Sequence, residues 1–305
     1  MTHRFGTVVL LGPPNAGKST LLNNLLGQKV AIVTPKPQTT RNQITGILSD
    51  EDSQIIFLDT PGVHRLRGKM NRFLLQAAWN GAGAADVMVV LADADLYARK
   101  PHLLQKEMDP LVERVAATSQ PVYLALNKID LVKEKSDLLP LMEYFTSVWP
   151  NAEIMPISAA KGEGVDRLLA SVKEHLPECP PMFPEDQIST VPLRFMASEV
   201  IREKLFMGLR HELPYTTAVE IEQWEETDKL LTMSAIIYVA RANHKAMVIG
   251  KGGQNLKDIG KKSRIEIKEL VGKKVHIELW VKVRSGWTED EPFLRAIGLT
   301  GGLED

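Results

Sequence analysis

The run Gly12-Pro13-Pro14-Asn15-Ala16-Gly17-Lys18-Ser19-Thr20 restricts this chain more than any other stretch. It satisfies G-x-x-x-x-G-K-[ST], follows a short apolar run that ends at Leu11, and opens an amphipathic one. That strand–loop–helix setting is what the motif requires. Glycines at both ends let the backbone curl so that its N–H groups face phosphates. Lys18 is placed to reach the β- and γ-phosphates, and the Ser19 hydroxyl to ligate Mg²⁺. The domain built on this loop must be α/β.

The first 176 residues bear that out as a pattern. Thr7–Leu11, Gln54–Leu58, Asp86–Leu91, Pro121–Leu126 and Glu153–Ile157 read as buried strands. Helical runs lie between and after them at Gly17–Leu26, Lys69–Trp79, His102–Ala117, Ser136–Val148 and Val165–His175. Such alternation predicts a mostly parallel sheet with helices on both faces. Gln43–Leu48 is expected to add an edge strand. With 305 residues, the chain exceeds what one core comfortably holds, so about two domains are expected.

Pro177-Glu178-Cys179-Pro180-Pro181-Met182-Phe183-Pro184 breaks the pattern with four prolines in eight positions. It predicts a semi-rigid spacer over 177–193. Beyond it, Arg194–His211 reads as helix, Thr217–Glu226 and Leu231–Arg241 as strands, Gln254–Leu270 as helix and Lys274–Val283 as strand, with room for a short helix before Gly250. The expected units are thus 1–176, 177–193, an α+β domain over 194–288, and an acidic tail over 289–305.

The base is read from motifs that follow the phosphate loop in order. Asp59-Thr60-Pro61-Gly62 closes an apolar strand, where Asp59 can orient Mg²⁺ and the Gly62 N–H can meet the γ-phosphate. Asn127-Lys128-Ile129-Asp130 closes another; the Asp130 carboxylate can accept from guanine N1–H and N2–H₂, which adenine does not offer. Ser158-Ala159-Ala160 offers a backbone N–H to guanine O6. Gln38-Thr39-Thr40-Arg41 lies where a loop would sense the γ-phosphate, with Thr40 as a further Mg²⁺ ligand. Together these indicate GTP.

One position departs from a Ras-like GTPase, in which a glutamine just after D-x-x-G orients the attacking water. Here it is Val63, which can neither donate nor accept. Catalysis then needs charge from elsewhere, and the Asn15 amide oxygen is placed to hold a K⁺ beside the phosphates. The expected catalytic set is Asn15, Lys18, Thr40 and Gly62. His64 and the basic residues after it are left out.

The formal charge of −1 conceals a basic block: Arg241–Arg284 holds twelve lysines and arginines against four acids. Inside it lies a second glycine loop, Gly250-Lys251-Gly252-Gly253, preceded by Val248-Ile249. In a KH module a G-x-x-G loop clamps a single strand's backbone while an apolar groove receives about four bases. Val248, Ile249, Leu256 and Ile259 are expected to floor that groove. Lys245, Lys251, Lys257 and Lys261 are expected to meet phosphates. The order of elements matches a type II KH domain.

No stretch reaches the ~18 apolar residues of a membrane span, no signal peptide is legible, and the single Cys179 points to a reducing cytoplasm. A monomer is expected.

Taken together, G-x-P-N-x-G-K-S, Q-T-T-R, D-T-P-G, N-K-I-D, S-A and V-I-G-K-G-G resemble the Era GTPase family over nearly the whole chain. The resemblance implies slow GTP hydrolysis and binding to the 3′ end of small-subunit ribosomal RNA in assembly of a 30S-type subunit. It also implies peripheral membrane contact, for which the residues themselves give no support. Two alternatives stay open: an RNA scaffold in which GTP is only a structural ligand, and a signalling switch whose KH domain binds protein.

Overall fold

In the computed structural model, residues 3–64, 68–209 and 212–299 are described. Arg65-Leu66-Arg67 and the ends of two predicted segments, Arg210-His211 and 300–305, lie outside them.

The N-terminal domain runs β1 (Arg4–Leu11), α1 (Lys18–Leu26), β2 (Ile44–Ser49), β3 (Ser53–Asp59), α2 (Lys69–Ala84), β4 (Val87–Asp93), α3 (Ala94–Arg99), α4 (Pro101–Ala116), β5 (Val122–Asn127), α5 (Leu139–Val148), β6 (Glu153–Pro156) and α6 (Val165–Glu174). Its strands stand in the order β2-β3-β1-β4-β5-β6. All neighbours are parallel except β2, the predicted edge strand, which pairs antiparallel with β3. The Val8–Leu11 half of β1 and nearly all of β4 are apolar because both faces of the sheet are covered. Leu104, Met108, Leu111 and Phe145 pack one face; Leu21, Leu22, Leu168 and Val172 pack the other. The phosphate loop, Asp59 and Asn127 all fall at the carboxyl ends of strands, where open α/β sheets bind ligands.

The C-terminal domain runs α7 (Leu193–Gly208), β7 (Thr217–Glu226), β8 (Leu230–Val239), α8 (Ala242–Ile249), α9 (Gln254–Val271), β9 (Lys274–Val283) and α10 (Glu291–Ala296). β8 is central, antiparallel to β7 and parallel to β9. α7, α8 and α9 cover one face through Ile201, Leu205, Val248, Ile259 and Ile267.

Two expectations about the connections need correction. The proline-rich segment does more than space the domains. Buried Gln54 accepts from the N–H groups of Met182 and Phe183 at 2.8 and 2.9 Å, and Ile47 N–H donates to Ile188 O at 2.8 Å. The segment is therefore laid along the outer edge of the sheet. Nor are residues 289–299 a solvated acidic tail. Asp290 caps α10 by accepting from Phe293 N–H, and Pro292 sits in its first turn, as helix starts prefer. Phe293 and Leu294 are buried against Met70 and Leu74 of α2 and against Trp287. In the sequence the run of acids masks the capping signal of Asp290-Glu291-Pro292.

Candidate functional site

The phosphate loop curls through left-handed backbone at Asn15 (φ 64°) and Gly17 (φ 102°), and Gly12 (φ 145°) could not carry a Cβ, which would meet Leu91 O at 2.5 Å. Pro13, Pro14, Ala16 and Thr20 line the same cavity, which has a volume of ≈ 1230 Å³. Lys18 is buried with its ammonium donating to Gly12 O and Pro13 O at 3.1 and 3.0 Å. Burial pulls its pKa down to about 8, against the opposing pull of Asp59.

Three oxygens converge beneath the loop. Ser19 Oγ donates to Asp59 Oδ2 at 2.5 Å and lies 2.9 Å from Thr40 Oγ1. Thr40 Oγ1 lies 3.5 Å from the same carboxylate oxygen. Asp59 is fully buried, its other oxygen has no hydrogen-bond partner, and desolvation raises its pKa to about 6. A buried, unsatisfied carboxylate oxygen between two hydroxyls fits a hard divalent cation with oxygen ligands, as Mg²⁺ is. The three residues expected to hold it are thus brought together.

Thr60 Oγ1 donates to Leu10 O at 2.7 Å, tying the D-T-P-G turn to β1. Gly62 lies against Pro14, whose Cα is 2.7 Å from where a Cβ would stand. Val63 is wholly buried and its N–H donates to Gly12 O at 3.0 Å. Its side chain packs into the core at the wall of the cavity and can offer nothing to a water there. His64, left out of the sequence-based set, does bridge two loops. Its Nδ1 lies 2.8 Å from Gly62 O and its Nε2 2.7 Å from Gln38 Nε2. A neutral ring protonated at Nδ1 satisfies both, and burial lowers the pKa in that direction.

On the base side, Asn127 donates to Ala16 O at 2.7 Å and accepts from Ala159 N–H at 2.9 Å, binding three motifs into one unit. Ser158 Oγ donates to Asp130 Oδ1 at 2.6 Å and so aims an exposed carboxylate. Lys128 (φ 70°) pairs with Asp93 at 2.6 Å, its stem lining the cavity beside the phosphate loop. With the Ser158 and Ala159 N–H groups engaged, the exposed Ala160 is the member of that trio placed to offer its N–H to a base. Asn15, exposed, donates to Pro35 O at 3.2 Å and thereby reaches the loop that carries Thr40.

In the second domain Gly250, Gly252 and Gly253 all take positive φ (75°, 61° and 78°). Only Gly250 is sterically compelled, since a Cβ there would meet Asn255 Cγ at 2.6 Å. Around Gly252 and Gly253 there is open space. Lys245, Lys251, Lys257 and Lys261 are exposed beside the loop. The groove floor differs from expectation: Val248 and Ile259 are buried in the core and cannot touch a ligand. Their apolar character serves helix–sheet packing, which sequence alone does not separate from a groove lining. Ile249 and Leu256 are half-buried, as are Ile277 and Leu279, which the sequence reading missed and which alternation along β9 places on the helix side.

Family models match in two places. Residues 7–128 match the 50S ribosome-binding GTPase model and residues 212–288 match the KH domain model. A GTPase Era from Nitratidesulfovibrio vulgaris (strain DP4) is 58% identical over 301 residues, spanning 98% of both chains. The chain belongs to the Era GTPase family. An Era of Stenotrophomonas maltophilia (strain K279a) is 44% identical over 97% of each chain. A solved structure of Era in complex with MgGDPNP and nucleotides 1506–1542 of 16S ribosomal RNA superposes with a TM-score of 0.88. It is 38% identical, and the match covers 98% of this chain and 99% of that one.

The two domains touch through loops that line the phosphate-loop cavity. Arg41 is buried and donates to the carbonyls of Pro214, Tyr215 and Thr217 at 3.2, 2.9 and 2.7 Å. Arg202 of α7 pairs with Glu199 and donates to Thr39 O. Glu203, also buried, accepts from Val33 N–H at 3.1 Å and from Lys29 at 2.8 Å. Lys29 reaches on to Glu266 of α9 at 2.6 Å. At the far side, Glu289 accepts from the Lys69 N–H at the start of α2. α2 has no side-chain cap of its own.

Proposed function

We propose that this Era-family GTPase uses GTP as a timer for holding and releasing small-subunit ribosomal RNA during assembly of a 30S-type particle. The RNA strand, by analogy with the rRNA-bound Era, is its small-subunit 3′ end. The observation that carries the reading is the division of labour in one short segment. Thr40 faces Ser19 and Asp59, while its neighbours Thr39 and Arg41 are held by the RNA-binding domain. A change in the γ-phosphate's contact with this segment therefore acts directly on the domain that holds RNA.

In hydrolysis, water attacks the γ-phosphorus and the bond to the β–γ bridging oxygen breaks, giving GDP and phosphate. Lys18 and the loop N–H groups hold the phosphates, the Gly62 N–H meets the γ-phosphate, and Asn127, Asp130 and Ala160 hold guanine. Ser19, Thr40 and Asp59 would hold Mg²⁺, which would supply charge neutralisation to the phosphates. Because Val63 is withdrawn into the core, we assign the remaining charge to a K⁺ at the Asn15 amide oxygen. That assignment rests on residue chemistry. RNA phosphates are assigned to Lys245, Lys251, Lys257 and Lys261 and to the backbone of Gly250, Gly252 and Gly253, and bases to Ile249 and Leu256.

The protein is expected to act as a monomer in the cytoplasm. Peripheral contact with the inner membrane is supported by the family resemblance only. Among the described residues no helix is long and apolar enough to cross a membrane.

Phosphate release from GTP, measured in KCl and in NaCl with and without RNA, tests the reading. Turnover should rise with RNA and with K⁺, and Asn15→Ala should remove the K⁺ effect alone. Turnover indifferent to RNA would leave a GTPase and an RNA-binding domain with no timer; no turnover at all would favour the scaffold.

A further inference from the structure

The sheet of the RNA-binding domain has a second face. Helices cover one side, and alternation sends Thr232, Ser234, Ile236 and Tyr238 of β8 to the other. α10 covers the Tyr238 end of that far face, its Phe293 ring 4.9 Å from Tyr238. The rest is open. There Trp280 of β9 stands beside Ile236 and is 57% exposed, more than any other tryptophan among the described residues. The Ser234 hydroxyl beneath is buried with no protein partner.

The charge around Trp280 opposes that of the RNA side. Glu220, Glu222 and Glu225 of β7 and Glu278 of β9 share this face, with Lys282 as the lysine among them. Glu220 is fixed by the Tyr238 hydroxyl at 2.8 Å. The Lys282–Glu222 pair is long, at 3.5 Å, and exposed at both ends, so an incoming cation can exchange with it at little cost. His276 Nε2 lies 3.5 Å from Glu278 Oε1 on the same face.

An exposed indole ringed by carboxylates is a receptor for cations. The ring face attracts a guanidinium or ammonium, and the carboxylates supply charge complementarity and steering. A nucleic-acid backbone is repelled by the same four glutamates. We propose that this face docks a lysine- and arginine-rich protein segment, with an arginine over Trp280 and further cations at Glu222, Glu225 and Glu278. The domain would then sort its ligands by charge: phosphates on the helix side, a basic protein segment on the far side. The inference goes beyond the function proposed above and does not require it.

The test uses the full-length protein and a fluorescent peptide of alternating arginine and glycine, followed by anisotropy at low and physiological salt. The wild type should bind it with a clear salt dependence. The Glu222→Gln/Glu225→Gln/Glu278→Gln variant should bind about tenfold more weakly, and Trp280→Ala about threefold more weakly, with Trp280→Phe between. A lysine–glycine peptide should lose less on Trp280→Ala than the arginine peptide. Lys251→Asp/Gly252→Asp should leave peptide binding intact, and single-stranded RNA should bind all the Trp280 and glutamate variants as well as it binds wild type, which also shows them folded. Peptide affinity unchanged in both the triple variant and Trp280→Ala would overturn the proposal. Loss of RNA affinity on Trp280→Ala in a folded protein would overturn it too, and would give the face to nucleic acid.

Discussion

Arg41 donates to the carbonyl oxygen of Thr217 at 2.7 Å, across the boundary between the two domains and one residue beyond Thr40. The same guanidinium lies 5.6 Å from the Phe206 ring centroid and 5.9 Å from that of Trp287. Arg202 approaches Phe206 as well, at 5.3 Å. A flexible tether would need none of this. The junction is a built interface whose key acceptors are main-chain carbonyls.

Replacing Arg41 with alanine should therefore harm both stability and communication. It strands carbonyls that now accept from a buried cation, a loss of about 3–5 kcal/mol on the scale of broken buried ion contacts. Urea unfolding should show that drop, and at temperatures where the variant stays folded its GTP turnover should no longer respond to RNA. A destabilised variant with a full RNA response would place the coupling at Glu289 and α2 instead.

The second prediction concerns pH. The Asp59 carboxyl titrates at about 6 when buried, against an ordinary value of 3.8. The folded state holds that proton more tightly than the unfolded state does. Stability from this group is thus present at low pH and lost as pH rises from roughly 4 through 6, a change of about 3 kcal/mol. Asp59→Asn should remove that slope and make the nucleotide-free protein more stable at pH 7.5 than wild type, while abolishing Mg²⁺-dependent nucleotide binding. Thermal unfolding of both proteins across pH 4–8 checks it; parallel curves would refute the assigned titration.

Guanine selectivity should reside in Asp130. Ser158 holds one of its oxygens, so Asp130→Asn keeps the local geometry while losing an acceptor for the N1–H and N2–H₂ pair. GTP affinity should fall by about 3 kcal/mol, roughly a hundredfold. Affinity for xanthosine triphosphate should rise. Competition binding with the two nucleotides decides, and a variant that keeps its GTP affinity would remove Asp130 from the base site.

The glycines of the second loop should differ in kind. Lys251→Asp/Gly252→Asp places acids at exposed positions; at Gly252 nothing obstructs a side chain, and the left-handed backbone (φ 61°) costs aspartate less than most residues. Single-stranded RNA affinity should fall tenfold or more at low salt, with a shallower salt slope, at a cost of no more than about 1 kcal/mol in stability. Gly250→Ala should instead destabilise the fold through its collision with Asn255. Equal stability losses in both variants would contradict this division.

Much of this was legible beforehand, for physical reasons. Phosphate loop, base motifs and strand order follow from patterns that recur because backbone geometry demands glycine at Gly12 and burial demands continuous apolar runs such as Val8–Leu11. α3 escaped because six residues ending before Pro101 carry too little periodicity to separate it from α4. Val248 was misplaced because an apolar residue before a glycine loop suits core and groove equally. The domain junction was invisible for a different reason: Arg41 grips the carbonyls of Pro214, Tyr215 and Thr217, and a carbonyl is the same in every residue. Only a fold can say which ones it meets.

The burial of Phe293 and Leu294 against Met70 and Leu74 has a consequence for synthesis. The apolar flank of α2 leaves the ribosome long before its cover is made, because Phe293 lies 293 − 70 = 223 residues beyond Met70. At the usual speed of elongation the nascent GTPase domain spends on the order of ten seconds or more with that flank open to solvent or to chaperones. Nor can Glu289 cap α2 until the 289 − 69 = 220 residues beyond Lys69 have been made. The start of α2 is in this sense finished late, and a chain truncated before residue 289 should emerge with that first turn frayed.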